Sequence, residues 1–228
     1  MTGISFREID PHDRYKLLCG VVVPRPIALV TTCDENGIVN AAPFSFFNVF
    51  SEDPPLVVLG LQHKADLTPK DTTRNIRRDG QFVIHLVDEA LAAAMNDCAV
   101  DFPAGDSEVE ATGLSTLPSI DVAVPRLADA PFALECRQHA ALAFGPGREL
   151  LVGEVLRLHA REGLIDRARM HVDLDAYRPI GRLFGNLYAT QRDRFALPRE
   201  SHAQWLARVK ADHVKAGDGA GEPSGENQ

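Results

Sequence analysis

Apolar and polar positions along the chain group into short runs, most of them too short for helices and spaced as strands. Residues 27–32 are β-rich and run into Cys33-Asp-Glu-Asn-Gly37, where Asn36-Gly37 tolerates the positive φ of a tight hairpin turn. The return strand covers 38–41. Residues 54–61, Pro-Pro-Leu-Val-Val-Leu-Gly-Leu, read as a continuous apolar strand buried on both faces. Further strands are predicted at 81–87, 132–144, 149–160 and 170–174, with Gly145-Pro-Gly-Arg148 as the turn between the second and third. Alternation in the second half of 151–159 marks a half-exposed strand.

Helical spacing is confined to a few stretches. Residues 8–19 suit a short amphipathic helix with Tyr15, Leu17 and Leu18 turned inward. Thr68-Pro69-Lys70-Asp71 reads as a capped start with Pro at the first helical position, and Gly80 as the left-handed stop. Asp88 caps a helix over 89–98 that turns Leu91, Met95 and Cys98 to one face. Ser201-His-Ala-Gln204 is a second capping box, before a helix with Trp205 and Val209 one turn apart. Residues 101–120 form a long polar loop, of a length that is usually functional or mobile. No internal repeat is present. Short strands without regular strand–helix alternation predict a mainly β fold, a barrel or sandwich with peripheral helices. The chain divides into a domain over 1–195, a C-terminal helix over 196–215 and a disordered tail over 216–228.

Composition narrows the function classes. The 228 residues hold 45% hydrophobic and 25% charged side chains, ordinary for a globular protein with a substantial core. A net charge of −8 disfavours general nucleic-acid binding, which needs Lys and Arg against phosphates. No apolar run approaches the ~20 residues of a membrane span. The first eight residues lack the basic-then-apolar pattern of a signal peptide, so a cytoplasmic location is the expectation. Cys19, Cys33, Cys98 and Cys136 form no CxxC pair and read as reduced, buried thiols. The eight His residues show no metal-ligand spacing, and no GxSxG, GxGxxG or Walker loop occurs.

What chemistry there is gathers around a polar turn, residues 40–48, and the helix start after Thr68. Small Ala41 and Ala42 let main-chain N–H groups approach a ligand, Ser45 and Asn48 offer short hydrogen bonds, and Phe44, Phe46 and Phe47 offer ring faces. Lys70, Thr72 and the helix N-terminus form a candidate phosphate cradle, to which Thr31 and Thr32 add hydroxyls; Asp71 fits there as a cap on backbone N–H groups. The same residues also read as a capped surface helix and core phenylalanines, and spacing alone favours that reading without closing the other.

Five motifs in order resolve the choice: Pro24-Arg25-Pro26-Ile27-Ala28-Leu29-Val30-Thr31-Thr32; Gly37-x-x-Asn40-x-Ala42-Pro43-Phe44-Ser45-Phe46-Phe47; Asp53-Pro54-Pro55; Lys70-Asp71-Thr72-x-x-Asn75-Ile76; and Phe82-Val83-x-His85. Across residues 10–190 the chain resembles the flavin reductase-like family. The Pro-Phe-Ser-Phe-Phe segment, and His85 where Asn is frequent, turn the comparison towards its flavoredoxin-like branch. The resemblance implies a Greek-key split β-barrel, a homodimer, and FMN rather than FAD in a groove near the dimer interface. It implies that Thr31 and Thr32 line the flavin site, that Ala42, Pro43, Ser45, Phe46, Phe47 and Asn48 meet the ring and ribityl groups, and that Lys70, Asp71 and Thr72 lie near the phosphate. The implied activity is NAD(P)H-dependent flavin reduction by hydride transfer to N5, with NADH or NADPH as donor and a monooxygenase or other acceptor protein as recipient. The alternative is an electron-transfer or flavin-storage protein with no nicotinamide activity. His85, His139 and the 101–120 loop are the candidates for a nicotinamide site. Trp205 and its helix are expected on the partner or on the barrel rim.

Overall fold

The structure is a computed structural model. It describes residues 1–103 and 105–218, with side chains as far as Lys210. The chain forms two compact units, Met1–Arg192 and Asp193–Gln228. Along the first unit run α1 (Pro11–Val21), β1 (Ala28–Cys33), β2 (Val39–Phe44), β3 (Phe47–Glu52), β4 (Pro55–Gln62), α2 (Asp71–Asp79), β5 (Gln81–Leu86), α3 (Ala92–Asp97) and α4 (Glu108–Ala111). Then come β6 (Thr116–Leu117), β7 (Arg126–Leu127), the long β8 (Phe132–Ala143) and β9 (Arg148–Ala160), and the short β10 (Ile165–Asp166), β11 (His171–Val172), β12 (Ile180–Arg182) and β13 (Tyr188–Thr190).

Seven strands form one antiparallel sheet in the order β2-β1-β5-β8-β9-β4-β3. The edge strands β2 and β3 stand at opposite ends of that order, yet only Ser45 and Phe46 separate them in the chain. Such a link spans at most about 10 Å. The sheet therefore rolls up until its edges nearly meet, and the register contains no ladder between them. The result is a barrel split at one seam, the expected fold, and a 2.7 Å hydrogen bond from Gly60 N to the Phe46 carbonyl carries the β3–β4 pairing onto the link. Turns hold the ladder in register. Asp34 Oδ1 accepts from the amides of Asn36 and Ile38 in the β1–β2 hairpin.

The core follows from β1, which is buried on both faces. Ala28 and Val30 pack inside the barrel with Phe47, Leu59, Leu61, Ile76, Phe82, Ile84 and Leu151. Ile27 and Leu29 point the other way, onto Leu91, Met95, Leu127 and Ala41. Each Val, Leu, Ile, Phe or Met among them contributes roughly 1.5–3 kcal/mol on burial. Phe82 requires a glycine across the barrel: a Cβ on Gly153 would lie 2.4 Å from the tip of its ring.

Several expectations change. Tyr15 and Leu18 are about half exposed, at 51% and 48%, and Cys19 is the residue that α1 buries. Helix α2 begins at Asp71 with Lys70 as its N-cap, so Pro69 precedes the helix; Thr68 instead closes an Asx turn, its amide and hydroxyl both donating to Asp66. The presumed turn at 40–48 is the end of β2, a two-residue link and the start of β3. The strand expected at 170–174 is the two-residue β11, and the 101–120 loop carries α4 and β6. Asp88 does cap towards α3, accepting from Leu91 N at 3.0 Å. All four cysteines are free; Cys33 is half-buried and the others buried. No helix among the described residues is long and apolar enough to cross a membrane.

In the second unit α5 spans His202–Asp218. Ser201 and Gln204 form the reciprocal capping box, Gln204 Oε1 accepting from Ser201 N at 2.8 Å and Ser201 Oγ from Gln204 N at 3.3 Å. Most of the tail placed at 216–228 lies outside the described residues.

Candidate functional site

The seam positions the site. Strand β2 has only β1 beside it, so its outer edge needs other partners. Helix α4 covers the first half: Ser107 Oγ donates to Val39 O at 2.6 Å, and Glu108 Oε2 accepts from Ala41 N at 3.0 Å. At the far end Pro43 has no N–H to leave unpaired. The Ala41 amide, read from sequence as a ligand donor, is therefore spent on Glu108. Burial raises the Glu108 pKa, with the nearby Asp71 carboxylate adding to it, while the Ala41 amide works the other way.

Three polar links fix α2 over the barrel mouth. Asn75 Nδ2 donates to Thr32 Oγ1 at 3.0 Å, Asn40 Nδ2 to Thr72 Oγ1 at 3.1 Å, and Arg77 pairs with the buried Glu149 at 2.6 Å. No side chain caps the start of α2, so its first-turn N–H groups stay available to an outside acceptor. The Asp71 carboxylate is drawn back along the helix by a short ion pair to Arg74.

Two clefts meet here. One, of about 670 Å³, is lined by Arg14, Tyr15, Leu18, Pro43, Phe44, Ser45, Phe46, Lys70 and Arg148 among others. The other, of about 580 Å³, is lined by Asn40, Ala42, Pro43, Phe44, His63, Lys64, Lys70, Asp71, Thr72 and Glu108, with the segment 98–102. Both fall in the ~300–1,000 Å³ range of small-molecule sites. They share Pro43, Phe44, Gln62 and Lys70, so one elongated ligand can touch a ring-rich end and a cationic helix start at once.

The sequence candidates fall into three groups. Ala42, Pro43, Ser45, Phe46, Lys70, Asp71 and Thr72 all line this groove. Phe47 and Asn48 lie on a neighbouring hollow with Leu18 and Val22, and the Phe47 ring is itself core. Thr31 and Thr32 are fully buried and face other parts of the chain: Thr31 donates to Pro125 O at 2.9 Å and Thr32 accepts from Asn75. They brace the site from beneath and add no hydroxyl to it. Arg14, Tyr15, Gln62, His63 and Glu108 line it too, and sequence reasoning passed them over because they reach the groove only through the folded seam. Asn40 alone carried a signal, as the fixed Asn of the second motif.

His85 is a structural histidine. It is wholly buried, Nδ1 lies 2.9 Å from Leu29 O, and Nε2 accepts from Leu127 N at 2.8 Å. That pairing makes Nδ1 the protonated nitrogen and the ring neutral, and burial lowers its pKa to about 4. Between pH 6.5 and 4 the unfolded chain binds a proton that the folded chain refuses, so stability falls as pH drops through that window. The full effect is on the order of 3 kcal/mol. In urea melts the midpoint is expected to drop from pH 6.5 to 4, and His85→Gln to flatten that slope. His139 is half exposed beside Glu154.

Residues 21–181 match the flavin reductase like domain. Among solved structures, the 2-nitrobenzoate 2-nitroreductase of Pseudomonas fluorescens is 40% identical with a TM-score of 0.82, covering 88% of this chain and 98% of its own. Nitrilotriacetate monooxygenase component B of Bacillus cereus is 37% identical with a TM-score of 0.83, covering 86% and 98%. The flavoredoxin of Desulfovibrio vulgaris, at 18% identity and TM-score 0.70 over 89% and 100%, shares the fold.

Proposed function

The chain belongs to the flavin reductase-like family, and from that premise we propose that it binds FMN in the seam groove and catalyses NAD(P)H-dependent flavin reduction, with a monooxygenase-type partner as recipient of the electrons. One observation carries this reading: the uncapped start of α2 and Lys70 open onto the same groove as the 42–46 segment. An anionic phosphate fits a helix N-terminus with free N–H groups and an adjacent ammonium. Thr72 Oγ1 accepts from Asn40 and so keeps its own O–H to donate. Pro43, Phe44 and Phe46 supply flat apolar surface for a ring system, and Ala42 leaves room beside it.

The chemistry such a cofactor supplies is hydride acceptance at its N5 atom and onward electron transfer. The protein's part is to hold the phosphate, orient the ring and shield it from water; no side chain need act as a base. A neighbour of 37% identity being a monooxygenase component supports the choice of recipient. Dialysis of the protein against FMN or FAD, followed by its absorbance spectrum, tests the cofactor. One FMN retained per chain, with FAD held more weakly, is expected; a colourless protein after both would refute the reading.

The same geometry supports a two-fold dimer. Leu18 of α1 and Val22, its C-cap, share a hollow of about 320 Å³ with Phe46 and Phe47 of the seam. Around it Val21, Val49 and Phe50 are more than two-thirds exposed, and β3 is an open sheet edge. A second copy covers such a surface, in line with the way edges and apolar patches are buried elsewhere. Sedimentation equilibrium is expected to return twice the 24.9 kDa chain mass; a monomer at micromolar concentration would contradict the dimer.

A further inference from the structure

Behind the 43–45 segment lies a smaller cavity that the flavin reading does not use. It has a volume of about 180 Å³ and includes Tyr15, Arg25, Ser45, Arg182 and Tyr188 in its wall. Arg25 is 7% exposed. Its Nη1 donates to Cys19 O at 2.7 Å and Val22 O at 2.9 Å, its Nη2 to Leu183 O at 3.0 Å, and its Nε reaches Ser45 Oγ at 3.4 Å. Arg182 makes short hydrogen bonds to Tyr188 Oη and Gly185 O, and its guanidinium stands 4.6 Å from the centre of the Tyr188 ring. Every one of these acceptors is neutral. No Asp or Glu lines the cavity, and neither arginine has a carboxylate ion pair among the described residues.

Two guanidiniums in one small cavity without an acid are electrostatically costly. The C-terminal carbonyls of α1 offset part of the Arg25 charge, and the half-buried Arg182 has the Gly185 carbonyl, Tyr188 Oη and the Tyr188 ring face, all of them neutral. Guanidinium groups match the planar fork of a carboxylate. Apolar Ile27, Phe44 and Met95 line the same cavity. The volume corresponds to about six waters at ~30 Å³ each, too little for a dinucleotide and enough for a carboxylate with a few carbons.

We propose that this cavity is an anion subsite that takes the carboxylate of a small organic acid, with the body of the acid directed towards Pro43, Phe44 and Ser45. Those three residues also line the large cleft, so the subsite would present an acidic electron acceptor to the flavin. That last role rests on the flavin reading; carboxylate binding itself does not.

The test is calorimetric titration of the full-length protein, before and after FMN loading, with benzoate, with benzamide and with inorganic phosphate. Benzamide keeps the shape and removes the charge. Benzoate is expected to bind at least tenfold more tightly than benzamide. Arg182→Gln, which leaves the four-bonded Arg25 intact, is expected to abolish that difference, and Arg182→Lys to restore part of it. Circular dichroism and thermal melting identify a variant that has failed to fold. The proposal is overturned if benzoate and benzamide bind alike, if phosphate alone binds, or if a folded Arg182→Gln protein titrates as the parent does. Benzoate binding in a protein that takes up no flavin supports the subsite and refutes only the flavin reading.

Discussion

Replacing Lys70 with alanine is expected to weaken FMN binding by on the order of tenfold and to leave riboflavin binding unchanged. Riboflavin has the ring and ribityl chain of FMN and lacks the phosphate, so the pair isolates the phosphate end of the groove. Lys70 is the N-cap of α2, has an exposed side chain and lines both clefts. Its side chain makes no cap hydrogen bond, so removing it costs the helix little. The loss would be electrostatic, and the FMN affinity of the parent protein would fall with added salt more steeply than that of the variant. Equal loss for FMN and riboflavin would place Lys70 elsewhere on the ligand. Fluorescence quenching of each flavin measures both affinities directly.

The second large effect concerns the scaffold. Glu135→Ala is expected to destabilise the protein by about 3–5 kcal/mol, the cost of breaking a buried charge network from one side. The Glu135 side chain is wholly buried and accepts from three backbone amides, Ile120 at 2.9 Å, Asp121 at 2.5 Å and Val122 at 3.2 Å, and meets His159 Nε2 at 2.5 Å. It thereby ties the 119–124 segment to the barrel, with the Asp121–Arg157 ion pair beside it. Removing the carboxylate leaves those amides without acceptors inside the protein. Burial acts to raise its pKa, and the His159 hydrogen bond with the Ile120 and Asp121 amides outweighs that, so the carboxyl sits below its ordinary value. Its contribution is therefore present above the ordinary carboxylate range and is lost as pH falls through the lower, folded value. Urea denaturation at neutral pH reads the loss; a change under 1 kcal/mol would mean that the loop is held by other contacts.

Much of the strand framework was legible because turns and alternation are local. Asn36-Gly37, Gly80 and Gly145-Pro-Gly-Arg148 set the ends of elements wherever backbone conformation decided them. The seam was not legible. That β2 and β3 are the two edges of one rolled sheet depends on the ladder order, which no local pattern records, and so residues 40–48 read as a turn. The two buried threonines show the same limit: a β-strand alternates its side chains, but only the fold reveals that Thr31 meets Pro125 and Thr32 meets Asn75. His85 was misread for a related reason, since its partners Leu29 and Leu127 lie on other strands. Helix α1 looked amphipathic with Tyr15 and Leu18 inward; those residues instead border the groove and the apolar surface, where a ligand or second copy has use for them. By contrast, Lys70, Thr72 and the 42–46 segment, which the motifs single out, line the two adjoining clefts.

The most direct test of the account is an anaerobic absorbance scan of the FMN-loaded protein before and after adding NADH or NADPH. Flavin reduction predicts that the band near the visible edge bleaches with at least one nucleotide and returns when air is admitted. A protein that retains its FMN yet shows no bleaching with either nucleotide would contradict the proposed activity and assign the groove to electron transfer or flavin storage.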